Sequence, residues 1–255
     1  MTALTTSGTA DIVFLIDVDN TLLDNDRLIN DLMQHIASEY GTTTRDRYSQ
    51  ILEDVRAKLG YVDYLGALQQ YRLEHLEAQG LLGMSSFLID YPFAERLYPQ
   101  ALQVLAHLQT MGETVILSDG DVVFQPRKIQ RSGIWDAVAG RVLIYVHKEQ
   151  MLHAVEQRYP ARHYVMIDDK LRILDALRSQ WHDRVTTVFP RQGHYAHDAA
   201  GCSALTWEHG RWVPLLQFKP PSGKRTPSGL AAWQQPVLIG GPEELAAALQ
   251  DPRPA

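Results

Sequence analysis

The sequence predicts an α/β fold: a parallel sheet with helices on both faces and a mostly helical segment inserted after the first strand. Three observations predict it. Short continuous apolar runs, Val13-Phe14-Leu15-Ile16, Thr114-Val115-Ile116-Leu117 and His163 to Ile167, have the length and composition of strands buried on both faces. Segments with apolar residues at helical spacing lie between later runs, and strand–helix alternation gives parallel strands joined by helical crossovers. Residues 24 to 94 contain nothing that alternates like a strand, so they read as mostly helical.

The elements follow in order. After the first strand, Leu28, Ile29, Leu32, Met33 and Ile36 share one face of a helix that Gly41 can end. Tyr48 to Leu59 and Tyr61 to Gln79 are further helical stretches, and Gly80 is a stop signal for the second. Pro99 opens a helix bearing Ala101, Leu102, Leu105, Leu108 and Met111, with Gly112 as its C-cap. The second strand then ends at Ser118-Asp119-Gly120. A helix closed by Gly133, a strand over Arg141 to Val146 and a helix over Glu149 to Tyr159 come next. The strand His163 to Ile167 ends at Asp168-Asp169, followed by a helix over Leu171 to Gln180 and a strand over Val185 to Phe189. From about residue 201 the pattern weakens. Lys219 to Gly229 is a loop by composition, and PVLIGGPEELAAALQ reads as a last strand and helix. The expected division is a core over 10–23 and 95–200, a helical insert over 24–94, and an extension over 201–255 packing on the core.

Composition bounds the function. The chain has 255 residues, 45% of them hydrophobic, enough for a substantial core. Formal net charge is -6 and the Lys and Arg residues are scattered, so electrostatics favours neither nucleic acid nor an anionic membrane as partner. No stretch reads as a membrane span. The N-terminus MTALTTSGTAD lacks a basic region followed by an apolar stretch, so it does not read as a signal peptide. One cysteine, Cys202, allows no internal disulfide, and the expected compartment is the cytoplasm.

The acids at the strand ends carry the chemistry. Three apolar runs end in Asp17/Asp19, Ser118/Asp119 and Asp168/Asp169, and in parallel α/β sheets such ends converge on one crevice. Lys148, just after another strand, can join them. So many acids repel each other unless a hard cation intervenes, and Mg²⁺ suits one or two carboxylates plus a phosphate. A calcium loop starting at Asp17 fails, because Leu22 and Leu28 stand where it needs Gly and Glu. Walker, nucleophile-elbow, H-E-x-x-H and G-x-G-x-x-G patterns are absent. Asp121 reads as a turn acid. The run His194-Tyr195-Ala196-His197-Asp198 has the letters of a transition-metal site, but without further ligands it reads as a surface loop.

Asp17-Val18-Asp19-Asn20-Thr21 resembles the D-x-D-x-T motif of the haloacid dehalogenase superfamily. Ser118, Lys148 and the pair Asp168-Asp169 resemble its second, third and fourth motifs, in order, across roughly residues 10 to 190. The resemblance implies a Rossmann-like core with a helical cap formed by the insert. It also implies a Mg²⁺-dependent phosphatase of a small phosphorylated metabolite. Asp17 would attack phosphorus, and Asp19 would protonate the leaving oxygen and later activate water. Mg²⁺ would contact Asp17, the backbone carbonyl of Asp19 and Asp169, while Asp168 either binds the metal or orients Asp169. Ser118 would bind the phosphoryl group, Lys148 would offset the charge of nucleophile and phosphate, and Asp119 would border the substrate. Thr21 would brace the loop.

The sequence departs from the family pattern in two places. Glu149 follows Lys148 where a proline is usual, and Lys170 follows the acidic pair where a small polar residue is usual. Other chemistries of the superfamily make different demands. Carbon–halogen hydrolysis needs no second acid, so Asp19 speaks against it, and phosphonate cleavage needs a lysine in the insert, where Lys58 stands alone. A phosphomutase would share every core motif, and a non-catalytic binding protein would have no use for the full set of acids. Arg56 and Arg72 are candidate anion contacts in the insert, whereas Tyr61, Tyr64 and Leu68 read as its own core.

Overall fold

The computed structural model describes residues 9–77, 80–197, 205–208 and 211–214. β1 (Ala10–Ile16), β2 (Glu113–Asp119), β3 (Val142–Tyr145), β4 (Ala161–Ile167) and β5 (Val185–Val188) form one parallel sheet in the order β3-β2-β1-β4-β5. The apolar runs are continuous because both faces are covered. Along β1, Phe14 and Ile16 face one way, against Leu105 and Leu108 of α5 (Ala101–Leu108), Ile129 of α6 (Phe124–Arg131) and Ile134 of α7 (Ile134–Ala137). Val13 and Leu15 face the other way, against Val155 of α8 (Leu152–Arg158) and Leu174, Leu177 and Trp181 of α9 (Leu171–Trp181). The fold is α/β and Rossmann-like, as the sequence predicts.

Between β1 and β2 the chain forms α1 (Asn25–Tyr40), α2 (Thr42–Leu59), α3 (Tyr64–Glu74) and α4 (Leu81–Asp90). α1 packs on α2 and α4, and α3 packs on both α2 and α4. The apolar stripe Leu28, Leu32 and Ile36 of α1 is fully buried, and it joins Tyr48, Tyr64 and Leu88 in a cluster continuous with one face of the sheet. Asp90 pairs with Arg127 at 3.3 Å and Arg131 at 3.0 Å, tying α4 to α6.

Several boundaries differ from expectation. α3 begins at Tyr64 rather than Tyr61 because the Asp63 side chain caps it, accepting from the Gly66 N–H at 2.7 Å. Gly80 precedes a helix, α4, that the periodicity does not resolve. A Cβ there would lie 2.3 Å from the Tyr40 ring, so the position needs glycine for close approach. α8 starts at Leu152 rather than Glu149, because His147 at φ 64° turns the chain into a 3-10 turn over Lys148–Gln150. β3 is shorter than the expected Arg141 to Val146.

A second small sheet joins β6 (Pro190–Arg191) in parallel to β7 (Leu205–Glu208), which pairs antiparallel with β8 (Arg211–Pro214). The sequence pattern gave no sign of β7 and β8. The expected loop over Lys219 to Gly229 and the final strand and helix lie outside the described residues. Among the described residues, no helix is long and apolar enough to cross a membrane.

Candidate active site

Strand register assembles the site. Ile16 of β1 pairs with both Ile116 of β2 and Ile167 of β4, so the residues that follow, Asp17 and Asp168, emerge side by side with Ser118 close at hand. The Asp17 N–H donates to the Ile167 carbonyl at 2.9 Å, which continues the ladder to the rim. The chain then turns sharply. The N–H groups of Leu22 and Leu23 fold back to the Val18 carbonyl, and Asn20 sits at φ 57°. Asn20 Oδ1 accepts from the N–H groups of Asn25 and Asp26, which fixes the start of α1 to the loop. Thr21 braces the far side: its hydroxyl accepts from the Asp169 N–H at 3.2 Å, and its carbonyl accepts from Gln192 at 2.9 Å.

Asp17, Asp168 and Asp169 form a buried trio whose nearest carboxylate oxygens lie within 4.8 Å of one another. Lys148, fully buried, reaches Asp17 Oδ1 at 2.5 Å, Asp168 Oδ2 at 2.6 Å and the Leu117 carbonyl at 3.2 Å. Burial alone would depress its ammonium, but Asp168 and Asp17 hold its pKa well above the ordinary lysine value. Burial pushes the Asp168 carboxyl up, against the pull of Lys148. Asp169 is pushed up to about 9, by burial first and then by the charges of Asp168 and Asp17.

Both oxygens of Asp169 and Oδ2 of Asp17 are buried with no hydrogen-bond partner. Uncompensated buried carboxylate oxygens are costly. An all-oxygen set with free lone pairs suits a hard divalent cation, so these residues fit Mg²⁺. Asp19 lies at the mouth, its side chain 25% exposed, and accepts from Lys128 Nζ at 2.7 Å. Ser118 Oγ accepts from Gln125 Nε2 at 2.9 Å and donates only over a long 3.4 Å contact to the Asp119 carbonyl, a hydrogen that a ligand at the strand end can take over.

Asp119 differs in role from the other acids. Its carboxylate accepts from the Lys148 N–H at 2.7 Å, so it anchors the turn that delivers Lys148, while burial raises its pKa. Asp121 caps α6 through the N–H groups of Val123 and Phe124. Lys128 and Gln125 were not singled out in the sequence. Phe124, Gln125, Lys128 and Ile129 are the buried positions of α6, a one-sided helical pattern that tracing apolar residues alone passes over.

A cavity of about 630 Å³ opens over these groups, walled by Asp19, Asp119, Asp169 and Lys170 from the core and by Arg56, Tyr61 and Tyr64 from the helical insert. Arg56 Nη2 donates to the Tyr195 hydroxyl at 3.0 Å. Gly60, at φ 79°, abuts His147 so closely that a Cβ would lie 2.3 Å from the ring. His194 is exposed, as expected of a surface loop, but it also lines this cavity, with its N–H and ring both on Asp26. Among the described residues, neither Arg72 nor Lys58 lines it. Tyr64 and Leu68 are buried in the insert as the sequence suggests, whereas Tyr61 is half-buried at the cavity.

A five-stranded parallel sheet with an acidic crevice at its strand ends defines an α/β protein with a candidate cation and ligand site, and comparison gives the family. The chain belongs to the haloacid dehalogenase-like hydrolases, whose family profile matches residues 13–179. It is similar to a structure from Burkholderia xenovorans LB400 assigned as a haloacid dehalogenase-like hydrolase, with 66% identity, a TM-score of 0.72, and coverage of 74% of this chain and 88% of that one. A haloacid dehalogenase-like family hydrolase from Xanthomonas campestris shares the fold, at 19% identity and a TM-score of 0.50, covering 73% of this chain and 84% of the other. So does the HAD-hydrolase YfnB from Bacillus subtilis, solved with magnesium, at 16% identity and a TM-score of 0.50, covering 71% and 87%. No curated protein matches the sequence.

Proposed function

We propose that this hydrolase is a Mg²⁺-dependent phosphatase of a small phosphomonoester, working through an aspartyl-phosphate on Asp17. The observation that carries the reading is the pairing of a buried carboxylate, Asp17, with a second acid, Asp19, at the cavity mouth. A halide leaving group needs no proton, whereas an alkoxide does, so an acid at the mouth suits a phosphate ester.

In the first half-reaction an Asp17 oxygen bonds to phosphorus as the bond to the ester oxygen breaks, and Asp19 gives that oxygen its proton. In the second, Asp19 takes a proton from water, the water oxygen bonds to phosphorus, and Asp17 leaves as a carboxylate. Ser118 donates to a phosphoryl oxygen, and Lys148 offsets the charge of Asp17. Asp17, Asp169 and the Asp19 carbonyl would hold Mg²⁺, with Asp168 oriented by Lys148. When bound, the ion supplies charge neutralisation for the phosphoryl group.

The insert acts as a cap in this reading. It covers a cavity large enough for a metabolite and excludes bulk water from the reacting atoms. A cytoplasmic enzyme with neither nucleic acid nor membrane as partner belongs to the same proposal, supported by the lone Cys202 and the scattered basic residues. The test is release of inorganic phosphate from p-nitrophenyl phosphate with and without Mg²⁺. Absence of phosphate release in saturating Mg²⁺ would count against the reading.

Mg²⁺ affinity is expected to depend on pH. With the Asp169 carboxyl pushed up to about 9, the metal-free protein carries a proton there at neutral pH, and the ion must displace it. Apparent affinity should therefore rise with pH between 6 and 8, by about tenfold per unit for one displaced proton. Asp169→Asn should weaken binding and flatten that slope, whereas Asp19→Asn, which keeps its backbone carbonyl, should leave binding largely intact. Calorimetric titrations at both pH values check this, and a slope that survives in Asp169→Asn would contradict the assignment.

A further inference from the structure

In the proposed reaction Asp19 protonates the ester oxygen, which fixes where the leaving group lies. Whatever that oxygen carries must extend from Asp19 along the cavity and meet the helical insert. The insert's share of the wall is mostly uncharged, with Ile29, Ala57, Tyr61 and Val62. Among the described residues its charged members are Glu53 and Arg56. The cations on the core side have acids at hand: Lys170 faces the charges of Asp17, Asp168 and Asp169, and Arg172 pairs with Glu149 at 3.1 Å.

Arg56 stands at a seam. It sits in the last turn of α2, and its Nη2 donates to the hydroxyl of Tyr195, which the chain supplies from beyond β6. Insert and core therefore orient one guanidinium together. A tyrosine hydroxyl is a neutral acceptor, so it aims the group without neutralising it. Glu53 approaches Nη1 only to 3.6 Å, from three residues away on the same helix, and its side chain is 66% exposed. An exposed pair of that kind contributes little and yields to a better acceptor. The Tyr64 hydroxyl lies within electrostatic reach of both ends of the path: burial and then Asp19 raise its pKa, whereas Arg56 lowers it. That hydroxyl also accepts from Asn25, which with Lys128 forms the hydrogen-bonded chain to Asp19. A short leaving group can therefore span from Asp19 to Arg56. One guanidinium on an otherwise uncharged stretch of wall suits one carboxylate, held by a two-pronged contact. A second phosphate would bring nearly twice that charge to the same cation, beside Glu53.

We propose that the leaving group of the substrate carries a carboxylate, and that Arg56, oriented by Tyr195, is the residue that recognises it. This inference rests on the phosphatase reading and names the substrate class within it, a phosphorylated hydroxy acid. Because the guanidinium is held from both sides of the seam, the carboxylate is read where the insert meets the core.

The probes are ω-carboxyalkyl phosphates of increasing chain length, each matched with the carboxamide and with the bisphosphate of the same length. The readout is kcat/KM for phosphate release in saturating Mg²⁺. The wild type should prefer the acid over its amide by about ten- to a hundredfold at one favoured length, the range for a charge-assisted hydrogen bond. In Arg56→Gln that ratio should fall to near one, with the loss falling on the acid, and Arg56→Lys should keep part of it. Tyr195→Phe keeps the charge but loses its orientation, so it should lower the ratio by a smaller factor. A merely structural tie between insert and core would lower acid and amide alike, so an equal loss on both in Arg56→Gln overturns the assignment. So does a wild-type ratio within about twofold of one at every length, or a bisphosphate preferred over the acid. If the protein releases phosphate from p-nitrophenyl phosphate yet shows no preference for the acid, the phosphatase reading stands and this inference alone falls. If it releases phosphate from neither p-nitrophenyl phosphate nor any of these probes, both fall.

Discussion

Asp17→Asn is expected to lower phosphate release by several decades while leaving the fold in place. The substitution keeps the shape of the side chain and an oxygen that can accept from Lys148, and the backbone N–H of residue 17 still closes the ladder onto the Ile167 carbonyl. What disappears is the negative oxygen that attacks phosphorus. Removing the nucleophile of a well-studied serine protease costs on the order of 10⁶ in turnover, which sets the scale by analogy. Stability should not fall in step, because the trio of Asp17, Asp168 and Asp169 is crowded and losing one charge relieves the other two. The check is single-turnover phosphate release together with a thermal melt. A variant that melts like wild type and retains a tenth of the rate would show that Asp17 is not the nucleophile.

The parts of this site that were legible in the sequence are those dictated by the sheet. A strand buried on both faces must be apolar until it leaves the core, so the step from Ile16 to Asp17 and from Ile167 to Asp168 marks a rim directly. Parallel order then brings those rims together, which is why Asp17, Ser118, Lys148, Asp168 and Asp169 converge. The parts that were not legible depend on tertiary contacts between polar groups. Lys128 and Gln125 are buried on the face of α6 that carries Phe124, yet a search for apolar periodicity counts them as interruptions. Their burial makes sense only once Asp19 and Ser118 are seen to need them. The segment after Gln192 read as a loop because nothing in its letters shows Asp26 and Arg56 waiting across the cavity. Gly80 reads as a stop, but the helix that follows it, α4, does not show in the letters, for a similar reason: the close approach of Gly80 to the Tyr40 ring is a tertiary contact.

Lys148→Met should produce a large loss of stability, with a pH dependence of definite sign. The lysine is fully buried and is the cation in direct contact with both Asp17 and Asp168. Methionine fills most of the space but leaves those carboxylates uncompensated. Breaking a buried pair by removing one partner typically costs about 3–5 kcal/mol. For a chain of this size each kcal/mol lowers Tm by about 2–4 °C, so a drop of roughly 6–20 °C is expected near neutral pH in EDTA. The carboxyls left behind are the ones burial already pushes upward, Asp168 and Asp169, the latter to about 9. A group whose folded pKa lies above its unfolded value contributes stability that is present below the unfolded value, about 4 for Asp, and is lost as pH rises through the folded one. Without Lys148 those folded values climb further, so the gap to wild type should widen from pH 5 to pH 8 and narrow on acidification. Mg²⁺ should recover part of the loss at pH 8, since Asp169 keeps both of its oxygens for the ion. Melting curves at the two pH values, with EDTA and then with Mg²⁺, read out each step. A drop of less than about 2 °C at pH 8 would mean that water solvates the carboxylates as well as the ammonium does, and a deficit that grew on acidification would mean that their protons are not what relieves the strain.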